Sequence, residues 1–178
     1  MSLFAVTAVI FPEAKLFAQD EEDVSLEALY QKAGEFSMGG QYEEASKTFE
    51  KMFDLSGGME TLFEDYGAQA GGFYFDYGIT LLPQQRWNDA KDAFTTCITA
   101  DEIAERVESP IKSQNPRANL AKFQLGFCEA QMGNPGEAIR LYDEYIASDP
   151  APEELKQIFP SFKLRYGAAL MKLGRIDE

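Results

Sequence analysis

The chain has 178 residues, 30 acidic against 16 basic, a formal net charge of −14 and no histidine. Such a charge excludes nucleic acid as a partner, because phosphate neutralisation needs a basic face. The absence of histidine removes the usual general base, the commonest metal ligand and the histidine-based triads, and the length allows one modest domain with no second catalytic module.

The chain opens on an apolar run, Leu3-Phe4-Ala5-Val6-Thr7-Ala8-Val9-Ile10-Phe11. It is too short to span a bilayer, so no integral membrane span is expected. Its length suits the core of a secretory signal with a cut after Ala18. No Lys or Arg precedes the run, however, and Glu13 and Lys15 interrupt the cleavage region. Two readings of residues 1–18 therefore stand side by side. One is a signal peptide remnant of an exported, periplasmic or secreted bacterial protein, cut from a longer chain. The other is an apolar arm of the mature fold, which needs a dock to avoid aggregation. The acidic run Asp20-Glu21-Glu22-Asp23 reads first as solvated surface and second as an attractor of basic partners.

From Leu29 a phrase begins that recurs along the chain. Ala33 is a small residue in mid-helix, Gly39-Gly40 a turn, Tyr42 the hydrophobic residue after it, and Ala45 and Phe49 pack the second helix. The next copies use Gly78, Gln84-Gln85, Trp87, Ala90 and Phe94, then Gly126, Gly133, Ala138 and Tyr142 up to Pro150. A fourth has Gly167, Gly174 and Ile176 and stops at Glu178. The interval from small residue to second-helix Ala (Ala33–Ala45, Gly78–Ala90, Gly126–Ala138) is twelve residues each time. A fixed place for a small side chain is a steric requirement, since two helices approach closely only there.

The copies cover roughly 25–57, 70–105, 117–150 and 160–178. Segment 56–71, with Leu62, Phe63 and Tyr66, predicts a short extra helix between glycine pairs. Segment 101–116 predicts an extension of the second helix as far as Val107. Asn134-Pro135-Gly136-Glu137 predicts a capped helix start, with Asn as cap and Glu as third residue. Pro160-Ser161 predicts the opening of the fourth first-helix.

This pattern resembles the tetratricopeptide repeat family over Ser25 to Glu178. The resemblance implies an all-α fold, a right-handed α-α superhelix of stacked antiparallel helix pairs. The period departs from the family's: Ala33, Gly78, Gly126 and Gly167 lie farther apart than about 34 residues, so each unit carries an insertion or longer helices. By the same resemblance the inner face is made by the first helix of each pair. Its positions fall on Tyr30 and Met38; on Phe75, Ile79 and Leu82; on Leu120, Phe123 and Phe127, with Ala130 and Gln131; and on Leu164 and Met171, with Ala168. Family members that clamp a peptide carboxylate use Lys, Asn and Arg at these positions. None falls on them, which speaks against a role as a co-chaperone for chaperone tails.

Acidic pairs such as Glu43-Glu44 and Glu153-Glu154 sit at helix starts, where carboxylates favour the positive dipole end, and they mark no catalytic or metal site. No cofactor is implied. Cys97 and Cys128 read as buried free thiols, with a disulfide between adjacent helices as the alternative. The leading expectation is a non-enzymatic scaffold, similar to periplasmic tetratricopeptide proteins of envelope assembly. Its apolar groove would hold an apolar or amphipathic segment of a protein or peptide partner, or be covered by a second copy in a homo-oligomer. The alternatives are an acidic cytoplasmic secretion chaperone and a regulatory or N-terminal part of a larger enzyme.

Overall fold

The computed structural model describes residues 25–148 and 152–175. The leader, the end of the third copy at Pro150 and the residue Ile176 lie outside the described residues. Among the described residues every regular element is helical. Helices α1 (Leu26–Met38) and α2 (Tyr42–Leu55) form the first pair, α4 (Ala70–Leu81) and α5 (Trp87–Ile98) the second, and α7 (Ala118–Gln131) and α8 (Pro135–Ala147) the third. Between the pairs lie α3 (Met59–Tyr66), a 3-10 turn at Gly67–Gln69, and α6 (Ala100–Arg106), and α9 (Pro152–Lys172) closes the stack. Each first helix packs on its own second helix, and each second helix packs on the next first helix. The chain thus has the fold expected of tetratricopeptide-like helical repeats.

The small residues do what their spacing requires. A Cβ placed on Gly78 would lie 2.7 Å from Cε1 of Phe94, and one on Gly126 would lie 2.5 Å from Cε1 of Tyr142. Each pair turns through one left-handed residue, Gly40, Gln85, Gly133 or Gly174, seven positions after the small residue. The next residue then donates its N–H back across the turn, as in Gln41 to Phe36 O at 2.8 Å and Asn134 to Glu129 O at 2.9 Å. Gln85 holds this conformation at φ 56° without being glycine. Its neighbour Gln84 instead ties the turn to the first pair, donating from Nε2 to Tyr42 O at 2.9 Å.

The two inserted segments pack on one another. Ser109 donates to Glu64 O at 3.0 Å, and Gly67, at φ 58°, is pressed so closely that a Cβ there would meet Ile111 O at 2.6 Å. Helix α3, the 3-10 turn and α6 build a side layer whose Leu62, Phe63, Tyr66 and Ile103 join the core of α1, α2 and α4. The extra length that lengthens the period is therefore packed structure.

Two expectations differ from the outcome, and a third holds in part. The second helix of the second pair does not run on to Val107: it stops at Ile98, and α6 starts anew at Ala100. Thr95, Thr96 and Thr99 each donate their hydroxyl to the carbonyl four residues back, which loosens the helix there, and Ala100 is drawn against Gly71. The helix of the fourth copy opens at Pro152, and Pro160 lies inside it. Helix α8 starts where expected, with Asn134 at the cap position, Pro135 first and Glu137 third, but the Asn134 side chain makes no capping bond, and its Nδ2 donates to Glu129 Oε2 at 2.8 Å.

A buried polar knot crosses the stack. Asp76 on α4 accepts from Tyr30 Oη of α1 at 2.5 Å and pairs with the guanidinium of Arg117 at the start of α7. Asn115 donates to Cys97 O at 2.6 Å, pinning the loop before α7 to α5. Taking Asp76 out of water is expensive, and two donors from different units offset that cost only in this arrangement.

Candidate functional site

A cleft of about 220 Å³ opens between α7 and α9, the first helices of the third and fourth copies. Phe127, Ala130 and Gln131 form one wall, Leu164, Arg165, Ala168, Ala169 and Lys172 the other, and Tyr142 the floor. The helical period explains the second wall, since Leu164, Ala168 and Lys172 recur on one stripe with Arg165 beside it. The lining is mostly apolar, and the two cations stand within it.

Arg165 is the unusual group. Its guanidinium carbon lies 3.9 Å from the Phe127 ring centroid and 5.1 Å from that of Phe123, and Nη1 donates to Gln124 Oε1 at 3.0 Å. Burial draws its pKa below the ordinary value, yet arginine stays charged. Among the described residues no carboxylate pairs with it, although the chain carries 30 acidic residues. A guanidinium has five N–H donors, so donors remain for an anion or carbonyl entering the cleft. Lys172 adds a second cation at the rim and donates to Ala130 O at 3.0 Å.

Of the residues expected on the inner face, the cleft brings together Phe127 and Leu164, with Ala130, Gln131 and Ala168. Tyr30 is half-buried against Phe73 and bonded to Asp76. Met38 is exposed at the end of α1. Ile79, Leu82 and Leu120 are half-buried against the core of α4, α5 and α7. Met171 is exposed on α9.

Phe75 and Phe123 require correction as binding anchors. They are 7% and 1% exposed, Phe75 edge-on to Phe94 and Phe123 between Tyr142 and Tyr145. Both rings belong to the core and offer a partner almost no surface. No Lys, Asn or Arg falls on the carried-over positions, but Arg165 and Lys172, the sequence neighbours of Leu164 and Met171, also line the cleft. The signal that finds them is in the sequence: between Lys156 and Ile176 the chain has five basic residues and no acidic one.

Both cysteines are free and buried, and burial pushes each thiol up to about 12. Neither is poised as a nucleophile. Among the described residues no group of three or more His, Cys, Asp or Glu lies together as a metal site, and no helix is long and apolar enough to cross a membrane. None of the curated proteins matches the chain. Residues 120–151, which comprise most of α7 and all of α8, match the family model of the tetratricopeptide repeat. That match places a tetratricopeptide repeat at the third pair, and the small-residue turns of the other pairs give the chain a tetratricopeptide-like helical repeat fold, which suggests a protein–protein interaction module.

Proposed function

We propose that the chain is a non-catalytic scaffold that holds an apolar segment of a partner protein in the cleft between α7 and α9. The carrying observation is Arg165, a guanidinium stacked on Phe127 inside an apolar cleft and paired with no carboxylate among the described residues. The segment places apolar side chains against Phe127, Leu164 and Ala168 and an acidic side chain or carbonyl on Arg165. Each large side chain fully buried contributes on the order of 1.5–3 kcal/mol, so three or four give micromolar binding after association costs.

The test compares wild type with Arg165→Met, which keeps the stacking volume, and Ala168→Glu, which fills the cleft with charge. Proteins from the native host captured by wild type and lost by both variants, with unchanged circular dichroism, support the reading. Recovery of the same proteins by all three removes it. We also infer export to the bacterial envelope, supported by the apolar run Leu3–Phe11 and the abrupt change to Gln19-Asp20-Glu21-Glu22. Intact mass of the native protein tests this: a mature chain starting near Gln19 is expected, and a retained Met1 removes the inference.

A further inference from the structure

A second hollow lies away from the helix pairs' inner face, in the side layer that the inserted segments build. It measures about 680 Å³, more than the cleft between α7 and α9. Helix α6 contributes Asp101 and Glu105, one turn apart, with buried Ala104 beside them, and the chain after α6 contributes Ile111, Lys112, Ser113 and Gln114. That chain has no regular structure, yet it is held at both ends. Glu108 leaves α6 in the left-handed region at φ 53°, and Ser109 N–H returns to Ala104 O at 3.0 Å. Ser109 Oγ donates to Glu64 O at 3.0 Å and accepts from Ile111 N at 3.2 Å. At the far end Asn115 N donates to Asp101 Oδ1 at 3.2 Å, and Asn115 Nδ2 to Cys97 O at 2.6 Å. A wall fixed in this way loses little freedom when something binds to it.

The polar groups of the lining are unmet. Ser113 Oγ is buried and has no hydrogen-bond partner among the described residues, a state that proteins seldom leave. Glu105 and Lys112 both line the hollow, and neither makes an ion pair there or with any other described residue. Acceptors dominate: two carboxylates, the Ser113 hydroxyl and the Gln114 carboxamide oxygen, against the ammonium of Lys112. The surroundings have the same sign. Segments 56–71 and 101–116 together hold seven acidic residues and two basic ones, and Glu60, Glu64, Glu102 and Glu108 are exposed. The local field therefore selects a cation. Because carboxylates extend well beyond the hollow, a chain carrying several cations uses more of them than a free cation does.

We propose that this hollow seats an arginine side chain from a basic segment of another protein. The guanidinium donates to the carboxylates of Asp101 and Glu105 and supplies the donor that Ser113 Oγ lacks, while its aliphatic stem lies on Ile111. Further basic residues of the segment meet the exposed Glu102 and Glu108. The site is built by the inserts that lengthen the repeat period, shares no residue with the cleft between α7 and α9, and does not depend on it.

The probe is a fluorescein-labelled peptide of glycine and serine carrying two arginines, beside a counterpart in which citrulline keeps the shape and removes the charge. Each is titrated with the 178-residue protein and read by anisotropy. Saturable binding of the arginine peptide is expected, weakened about fivefold by Glu105→Gln. Glu35→Gln, which removes the same charge from an exposed position on α1, is expected to leave it unchanged. Lys112→Ala removes the competing cation and is expected to tighten binding. The side chains of Glu105 and Lys112 are exposed, so both variants fold, which a melting curve checks. Equal weakening by Glu105→Gln and Glu35→Gln means attraction by net charge alone and overturns the proposal. Equal binding of the citrulline peptide, weaker binding by Lys112→Ala, or no saturation at about 1 mM each overturn it as well.

Discussion

Replacing Gly126 by Ala adds one methyl group, and the structure gives the result a sign. The new Cβ would stand 2.5 Å from Tyr142 Cε1, 2.9 Å from Cδ1 and 3.2 Å from Ala138 O. The ring is 0% exposed and packed against Phe123 and Tyr166, and the carbonyl is α8 backbone. Relief requires α7 and α8 to move apart, and overpacking of this kind costs about 1–3 kcal/mol. These contacts put it at the upper end. Against that, Ala in a helix interior is worth about 1 kcal/mol over Gly. The net expectation is a loss of about 2 kcal/mol, a fall in Tm of about 4–8 °C for a chain of this size. Gly34→Ala on α1 is the internal reference, because nothing lies within 4 Å of its Cβ and only the propensity gain acts there. Thermal melts followed at 222 nm are expected to move in opposite directions for the two variants. If both rise, the close approach at Gly126 is not a steric necessity and the repeat's small-residue logic fails.

Arg117→Met strands the buried Asp76 carboxylate with Tyr30 alone and is expected to lower stability by about 3 kcal/mol in urea unfolding; an unchanged midpoint counts against the polar knot. Gln85→Gly relieves a left-handed residue at φ 56° and is expected to raise stability by about 1 kcal/mol, read as a higher Tm. Cys97 and Cys128, with thiols pushed up to about 12, are expected to resist Ellman's reagent in the native state at pH 8 and to react fully in urea. Their thiolate fraction, and with it the alkylation rate of the folded protein, rises only as pH approaches that value, so native reactivity near pH 8 would show that the sites open.

The helix pairs were legible because their cause is local. A residue that must be small, a turn seven positions later and an aromatic beyond it are all set within one pair, and Ala33, Gly78, Gly126 and Gly167 announce them in the bare sequence. What was not legible depends on contacts distant along the chain. Gly67 and Gly71 are visible as glycines, but Ile111 and Asn115, which force them to be glycine, arrive some forty residues later from the second insert. The break at Thr99 is of the same kind: three threonines weaken the helix locally, but the pull that redirects it comes from packing on Gly71.

Register alone does not tell a binding face from a core, and the four equivalent aromatic or aliphatic positions show why. Tyr30, Phe75, Phe123 and Leu164 occupy one place in the repeat, yet the first is half-buried, the next two are sealed, and the last is open. The difference lies in what packs over each, which a residue's own helix does not encode. Among the described residues the exposed large apolar side chains are spread over α1, α2, α3, α8 and α9, with Leu164 and Met171 on α9 the most exposed of them. There the charge also reverses: a chain of net −14 presents five cations and no acid between Lys156 and Ile176. An acidic partner approaching this molecule is repelled by most of its surface and attracted at that end, so electrostatics and exposed apolar area select the same helix. Raising salt should therefore weaken capture at α9 while leaving the fold's melting temperature nearly unchanged, since the buried Asp76 knot is poorly screened. Capture that is indifferent to salt would mean that the basic helix plays no part in recognition.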